Sequence, residues 1–330
     1  MQGNLVGRFV RWGIVAIACG ALIYLVGTIW AGIDQMAAAL ERFDWRLVVP
    51  LLGLTLLNYG VRFAKWHYLC RRLGIEIGVQ ENAWNFAAGL AMVISPGKAG
   101  ELLKPYFVRA RTGVPMAVSI PALITERLTD GIAMLALAAA GVTHFAPHDT
   151  EYIAIPSVIT LVGLIVLASE PLSMGILRAI GRLPKVGRIA PKLIEMYRAL
   201  RTTLAPVPLF VTMVASIIAW GAECVGYQIV FHGLGFEVPL RACVFLYAFA
   251  TVAGGAMPGG LGVADGALAA GAPRLVPGLD HATSVAAALL IRLATLWFGV
   301  AIGAFALLRV SSLVGGELDL EKAPPAPQEG

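Results

Sequence analysis

The sequence predicts an all-α polytopic membrane protein, with about six full transmembrane helices and two broken or re-entrant helical segments in an inverted repeat. Three observations predict it. Of the 330 residues, 58% are hydrophobic and 14% charged, with a mean hydropathy of +0.79. That is more apolar surface than a soluble interior of this size can hide. The apolar residues arrive in long blocks, the pattern of membrane spans. Two of these blocks are interrupted by Pro-Gly clusters.

Full spans are expected at 12–31, 47–66, 115–142, 152–169, 207–232 and 282–309. Each is long enough to cross ~30 Å of hydrocarbon at ~1.5 Å per residue. Residues 14–30 carry no charge and read as a retained span, since no small-residue cleavage site follows them. The segment 83–108 breaks at Ser95-Pro96-Gly97, and 241–271 breaks at Met257-Pro258-Gly259-Gly260. The half before each break is short for a span. Both read as re-entrant hairpins or discontinuous helices, whose freed backbone survives in a membrane only against protein or a watery cavity.

Lys and Arg set the orientation. With a cytoplasmic N-terminus, seventeen fall on that side: Arg8, Arg11, Lys65, Arg71, Arg72, Lys104, Arg109, Arg111, Arg178, Arg182, Lys185, Arg188, Lys192, Arg198, Arg201, Arg309 and Lys322. The outer side keeps four, Arg42, Arg46, Arg241 and Arg274. This is a positive-inside arrangement, with both termini in the cytoplasm of a cell (inner) membrane protein. Leu193, Tyr197, Leu200 and Leu204 recur at helical spacing within 171–206, and an amphipathic helix on the inner leaflet is expected there. Residues 1–310 then form one transmembrane domain with repeat units at 47–142 and 207–309, followed by a disordered cytoplasmic tail at 311–330.

Several chemistries are excluded. The four cysteines have no CxxC spacing and read as buried small hydrophobes. His144 and His148 fall beside Asp149 and Glu151 in what reads as a solvated loop, so neither a metal nor another cofactor is expected. The net charge of +5 is not a nucleic-acid signal, because no basic stripe interleaved with aromatics lies on a soluble domain.

The two breaks resemble each other. Pro96-Gly97-Lys98-Ala99-Gly100 is followed by Glu101, and Pro258-Gly259-Gly260-Leu261-Gly262 by Asp265. Arg127-Leu128 and Arg292-Leu293 follow at similar distances. Three full spans separate the hairpins, an odd number, so they insert from opposite faces and meet near the midplane. There, broken helix ends offer free N–H and C=O groups and dipole ends to a substrate. Pro96, Gly97, Gly100, Pro258, Gly259 and Gly262 would shape these breaks.

A charge at the bilayer centre costs ~2.5–3.5 kcal/mol on insertion scales and must face protein or water. Arg62, Glu126, Arg127, Asp130, Glu223 and Arg292 fall within spans, while Lys98, Glu101 and Asp265 flank the breaks. Lys98, Arg127, Arg292 and Arg62 are the candidate substrate ligands, the guanidinium fork suiting an anionic group such as phosphate. Glu101, Glu126, Asp130, Glu223 and Asp265 would orient them or couple protons. Arg127 is expected to pair with Asp130 at i,i+3. A purely structural ion-pair network is the competing reading.

Through Pro96–Glu101, Glu126-Arg127-Leu128-Thr129-Asp130 and Pro258–Asp265, residues 10–310 resemble the lysylphosphatidylglycerol synthase transmembrane, or flippase-like, family, which includes the membrane half of bacterial multiple peptide resistance factor. The resemblance implies movement of lipids with polar or charged headgroups between leaflets. The second motif usually carries Glu soon after its glycines, where this chain has Asp265 farther back. No aminoacyltransferase domain is expected in this chain, so lysine transfer is not carried over.

The sequence therefore points to a transporter, not an enzyme, moving a membrane lipid with a polar or anionic headgroup through a midplane cavity. Two alternatives stand beside it: an intramembrane enzyme of lipid or glycolipid assembly, and an accessory subunit docking lipid-synthesis enzymes through 171–206. No nucleic-acid partner is expected, and a homo-oligomer is left open.

Overall fold

The computed structural model describes residues 33–95, 100–145, 169–182, 190–255, 257–276 and 278–314, with isolated positions between 158 and 167. The expected first span, most of the span at 152–169, the chain beyond 314, and Pro96, Gly97 and Lys98 lie outside these residues. Every regular element among those described is helical. In chain order they are α1 (Ile33–Arg42), α2 (Val48–Arg72), α3 (Val79–Ala91), α4 (Leu103–Thr112), α5 (Met116–Phe145), α6 (Glu170–Gly181), α7 (Ala190–Thr203), α8 (Pro206–Gly233), α9 (Leu240–Ala253), α10 (Val263–Leu275), α11 (His281–Arg292) and α12 (Phe298–Val314). A π-helical turn, Leu293–Trp297, joins the last two into one rod. By length and composition Trp45–Arg72, Pro206–Gly233 and His281–Val310 are long and apolar enough to cross a membrane.

α2 and α8 end in the same way. After α2 the chain reads Leu73-Gly74-Ile75-Glu76, and after α8 it reads Leu234-Gly235-Phe236-Glu237, each position 161 residues later. Gly74 and Gly235 take positive φ of 72° and 84°, open to glycine at little steric cost. The Ile75 amide then donates to the Cys70 carbonyl at 3.0 Å and the Phe236 amide to the Phe231 carbonyl at 2.9 Å. This is a Schellman stop, written twice.

The halves pack by exchange. α2 lies along α8, its counterpart; α3 lies along α12 of the other half, and α9 lies along α5. The α3–α12 crossing is close enough to exclude side chains: a Cβ at Gly303 would strike the Ala91 backbone and sit 2.9 Å from the Ala87 carbonyl. Small residues let transmembrane backbones approach in this way.

Both breaks are real. α3 passes into a 3₁₀ turn at Met92–Ile94, and helix resumes in α4. α9 stops at Ala253, and Pro258–Gly260 forms a 3₁₀ turn before α10. Gly259, Gly260 and Gly262 all have positive φ, at 58°, 72° and 80°. Gly100 is needed for space, since a Cβ there would fall 2.7 Å from Met92 Cβ and from Ser95 Oγ. The two tips touch: Ile94 packs against Gly259.

Four expectations need correction. The span placed at 47–66 continues as helix to Arg72, because Lys65 is buried inside the protein and paired instead of marking a polar end. Lys65 and Lys104 are both 3% exposed, so they leave the cytoplasmic count, which falls from seventeen to fifteen. The apolar face of the amphipathic stretch does not float on a leaflet. α7 packs on α5, burying Tyr197 and Leu200, with Thr125 and Thr203 hydroxyls 2.6 Å apart. α12 also runs on to Val314, past the boundary expected at 310.

Candidate functional site

The site is built where α2 and α8 cross. Asn58 donates to the carbonyl of Ala219 at 2.9 Å, and these positions are also 161 residues apart, so the two halves meet here at equivalent points. One turn on, Tyr59 and Arg62 of α2 correspond by the same offset to Trp220 and Glu223 of α8. All four line one cavity, and the Arg62 guanidinium lies over the Trp220 ring, 5.5 Å from its centroid. The cavity measures about 390 Å³. The rest of its wall includes Val93 and Glu101 at the first break, α5, α9, Arg292 of α11, the π-helical turn and the glycines Gly254, Gly255, Gly259 and Gly260 at the second break.

The first half is dense with charge. Lys104 Nζ sits 2.5 Å from Glu126 Oε2, over the faces of Trp66 at 4.4 Å and Phe86 at 5.3 Å. Lys65 Nζ sits 2.5 Å from Asp130 Oδ1, and Ser216 of α8 donates to the same oxygen at 2.9 Å. Arg62 bridges the two acids more loosely, at 3.6 Å from Glu126 and 3.9 Å from Asp130. Glu126 is wholly buried. A carboxylate this far from water is held ionised only by partners of opposite charge.

Each break carries its own arginine–acid pair. Arg127 binds Glu101 at 2.6 Å, with the expected Asp130 contact longer at 3.8 Å. Arg292 binds Asp265 at 2.8 Å and also donates to the Gly259 carbonyl inside the turn. Asp265 accepts from the Gly262 amide at 2.8 Å, so one carboxylate starts α10 and fixes the arginine. The displaced acid of the second motif thus serves a cap and an ion pair together. Downstream of Arg292, the second half has Thr295 where the first has Asp130, at the offset relating Arg127 to Arg292. The π-helical turn frees the Thr295 carbonyl, which accepts the Tyr59 hydroxyl.

The described sequence candidates therefore gather around one interior, with Arg62, Arg127, Arg292, Glu101, Asp130 and Glu223 on the cavity wall. Glu126 and Asp265 stand behind them as partners. The cavity is not simply cationic: three cations on its wall meet three carboxylates. Four wall atoms lack a hydrogen-bond partner, namely Arg62 Nε, Glu101 Oε1, Asp130 Oδ2 and Trp220 Nε1. Two of these, Arg62 Nε and Asp130 Oδ2, lie 3.9 Å apart as an ion pair longer than a hydrogen bond.

This arrangement accompanies a clear family match. Residues 14–303 match the family described as the lysylphosphatidylglycerol synthase TM region. The chain belongs to this family. A UPF0104 membrane protein of Methanothermobacter thermautotrophicus is 24% identical over 320 residues, covering 91% of this chain and 93% of its own. As a lysylphosphatidylglycerol synthase TM-region protein, the chain is a membrane protein of a lipid-metabolic family.

Sequence reading missed Lys65, Lys104, Tyr59, Trp220 and Tyr247. Lys65 had a signal, lying three residues after Arg62 on one helical face, and Lys104 lies three after Glu101. The 161-residue repeat of Leu-Gly-x-Glu was the signal for Tyr59 opposite Trp220. Tyr247 had none, since its role depends on how α9 meets α8.

Proposed function

We propose that this protein carries a lipid with a polar or anionic headgroup between leaflets, the headgroup passing through the cavity between the broken helices while the acyl chains stay in the bilayer. The observation that carries this reading is the hollow itself: about 390 Å³, walled by both halves and by broken-helix backbone, with three arginines and three carboxylates on its wall. A purely structural network would be packed closely enough to exclude such a space. Arg127 is the most open of the interior cations, with 30% of its side chain exposed, and would meet the headgroup first. Arg62 and Arg292 line the same hollow. The protein would lie in a cell membrane with its N-terminus cytoplasmic, fifteen Lys and Arg facing four across the bilayer.

The test is translocation of fluorescent short-chain phosphatidylglycerol in proteoliposomes, read by loss of quencher protection. Thr251 lines the cavity, and Thr251→Trp would fill it without removing any charge. Translocation by the wild type that is lost in Thr251→Trp, with the fold intact, supports the reading. Equal translocation by both contradicts it.

A further inference from the structure

Glu223 stands apart from every other acid of the interior. Its side chain is buried and lines the cavity, yet among the described residues it makes no ion pair. Its hydrogen bond comes from a neutral group, the Tyr247 hydroxyl, which donates to Oε2 at 2.6 Å. The other four each hold a cation: Glu101 holds Arg127, Glu126 holds Lys104, Asp130 holds Lys65, and Asp265 holds Arg292. By the 161-residue offset Glu223 occupies the place of Arg62, and both line the cavity. The charged and titratable groups around it are Tyr59 and Arg62 from α2, Asp130 from α5, Tyr247 from α9 and Arg292 from α11, with Cys224 beside it on α8.

The geometry points to Glu223 as a proton-binding site that links proton uptake to capture of one anionic headgroup, a reading that rests on the transport function proposed above. The described interior holds five cations (Arg62, Lys65, Lys104, Arg127, Arg292) and five carboxylates (Glu101, Glu126, Asp130, Glu223, Asp265). With every group ionised, these cancel. A proton added to the Glu223 carboxylate makes a neutral acid and leaves five cations against four anions. That single surplus charge matches the single negative charge of a phosphodiester. Among these described groups, bringing the phosphate in without the proton would leave one more negative charge than positive in a low dielectric, which is costly. The proton comes from water on the loading side and returns to water on the other, so no redox partner enters. Linkage then requires that the headgroup favours the proton as much as the proton favours the headgroup.

Binding of dioctanoyl-phosphatidylglycerol, followed by tryptophan fluorescence in nanodiscs over a pH series, tests this. Wild-type affinity is expected to weaken by about tenfold per pH unit above the titration of Glu223, as one-proton linkage requires. Glu223→Gln, which keeps the neutral shape, is expected to lose that slope. An equal slope in both, or none in the wild type while lipid binds, overturns the proposal but leaves transport standing. If the lipid binds at no pH, the transport reading falls, and infrared spectroscopy decides the proton site alone. A protonated-carboxyl stretch that disappears in Glu223→Gln and shifts in Tyr247→Phe supports it. No such band in the wild type overturns it.

Discussion

Arg292 grips Asp265 at 2.8 Å, and the same arginine donates to Gly259 in the turn that separates α9 from α10. The break is thereby closed by one guanidinium. Both partners are nearly inaccessible to water, so losing one leaves a charge stranded in the interior. Arg292→Ala is expected to lower stability by ~3–5 kcal/mol. Adding Asp265→Ala to it is expected to cost less than the two single changes summed. Thermal unfolding of the three variants in detergent checks this; strictly additive losses would argue that the pair is not coupled.

Close backbone contact at Gly303 holds the first broken segment against the second half of the molecule. A methyl at this site meets backbone atoms of Ala87 and Ala91, which have no side-chain freedom to give way. Gly303→Ala is expected to destabilise by at least ~1–3 kcal/mol, as overpacking does. Gly53, with open space around it, serves as the comparison, and Gly53→Ala is expected to leave the melting temperature nearly unchanged.

Tyr59 spends its hydroxyl on the Thr295 carbonyl that the π-helical turn exposes. Tyr59→Phe keeps the ring and strands a buried acceptor, so a loss of ~1–3 kcal/mol is expected. Melting curves measure the loss, and an unchanged midpoint would mean that the turn satisfies itself by another route.

Asp280 gives a pH signature outside the spans. It caps α11, accepting from the Thr283 amide at 2.8 Å and the Thr283 hydroxyl at 2.6 Å. Burial alone would raise its carboxyl, but these hydrogen bonds outweigh burial and hold it below its ordinary value of 3.8. A depressed carboxylate stabilises fully above that ordinary value, and the contribution fades as the pH falls through the lower folded value. Asp280→Ala is therefore expected to cost ~0.5–2 kcal/mol at neutral pH. The gap from wild type should close in strong acid, and a gap that stays constant with pH would contradict the cap.

Much of this was legible in the sequence because its causes are local. Pro258-Gly259-Gly260 and Ser95-Pro96-Gly97 announce breaks, since proline removes a donor and glycine admits positive φ. Arg127 and Arg292 stood out because charge within an apolar run needs a reason. Lys65 and Lys104 were misplaced because positive-inside counting reads a lysine near a helix end as a loop residue. Only the fold reveals that Asp130 and Glu126 wait for them across more than twenty residues of chain. The covering of α7 by α5 was hidden for the same reason: periodicity shows that a face is apolar, not what lies against it.

On the proposed function, a lipid headgroup occupies the hollow between the two breaks. Photocrosslinking with a headgroup-diazirine phosphatidylglycerol in proteoliposomes, with adducts mapped by mass spectrometry, reads that position out. The expected adducts fall on cavity-lining peptides, those carrying Gly131, Trp220 and Thr251. Adducts confined to outward-facing positions such as Phe210, Phe305 and Leu308 would contradict it.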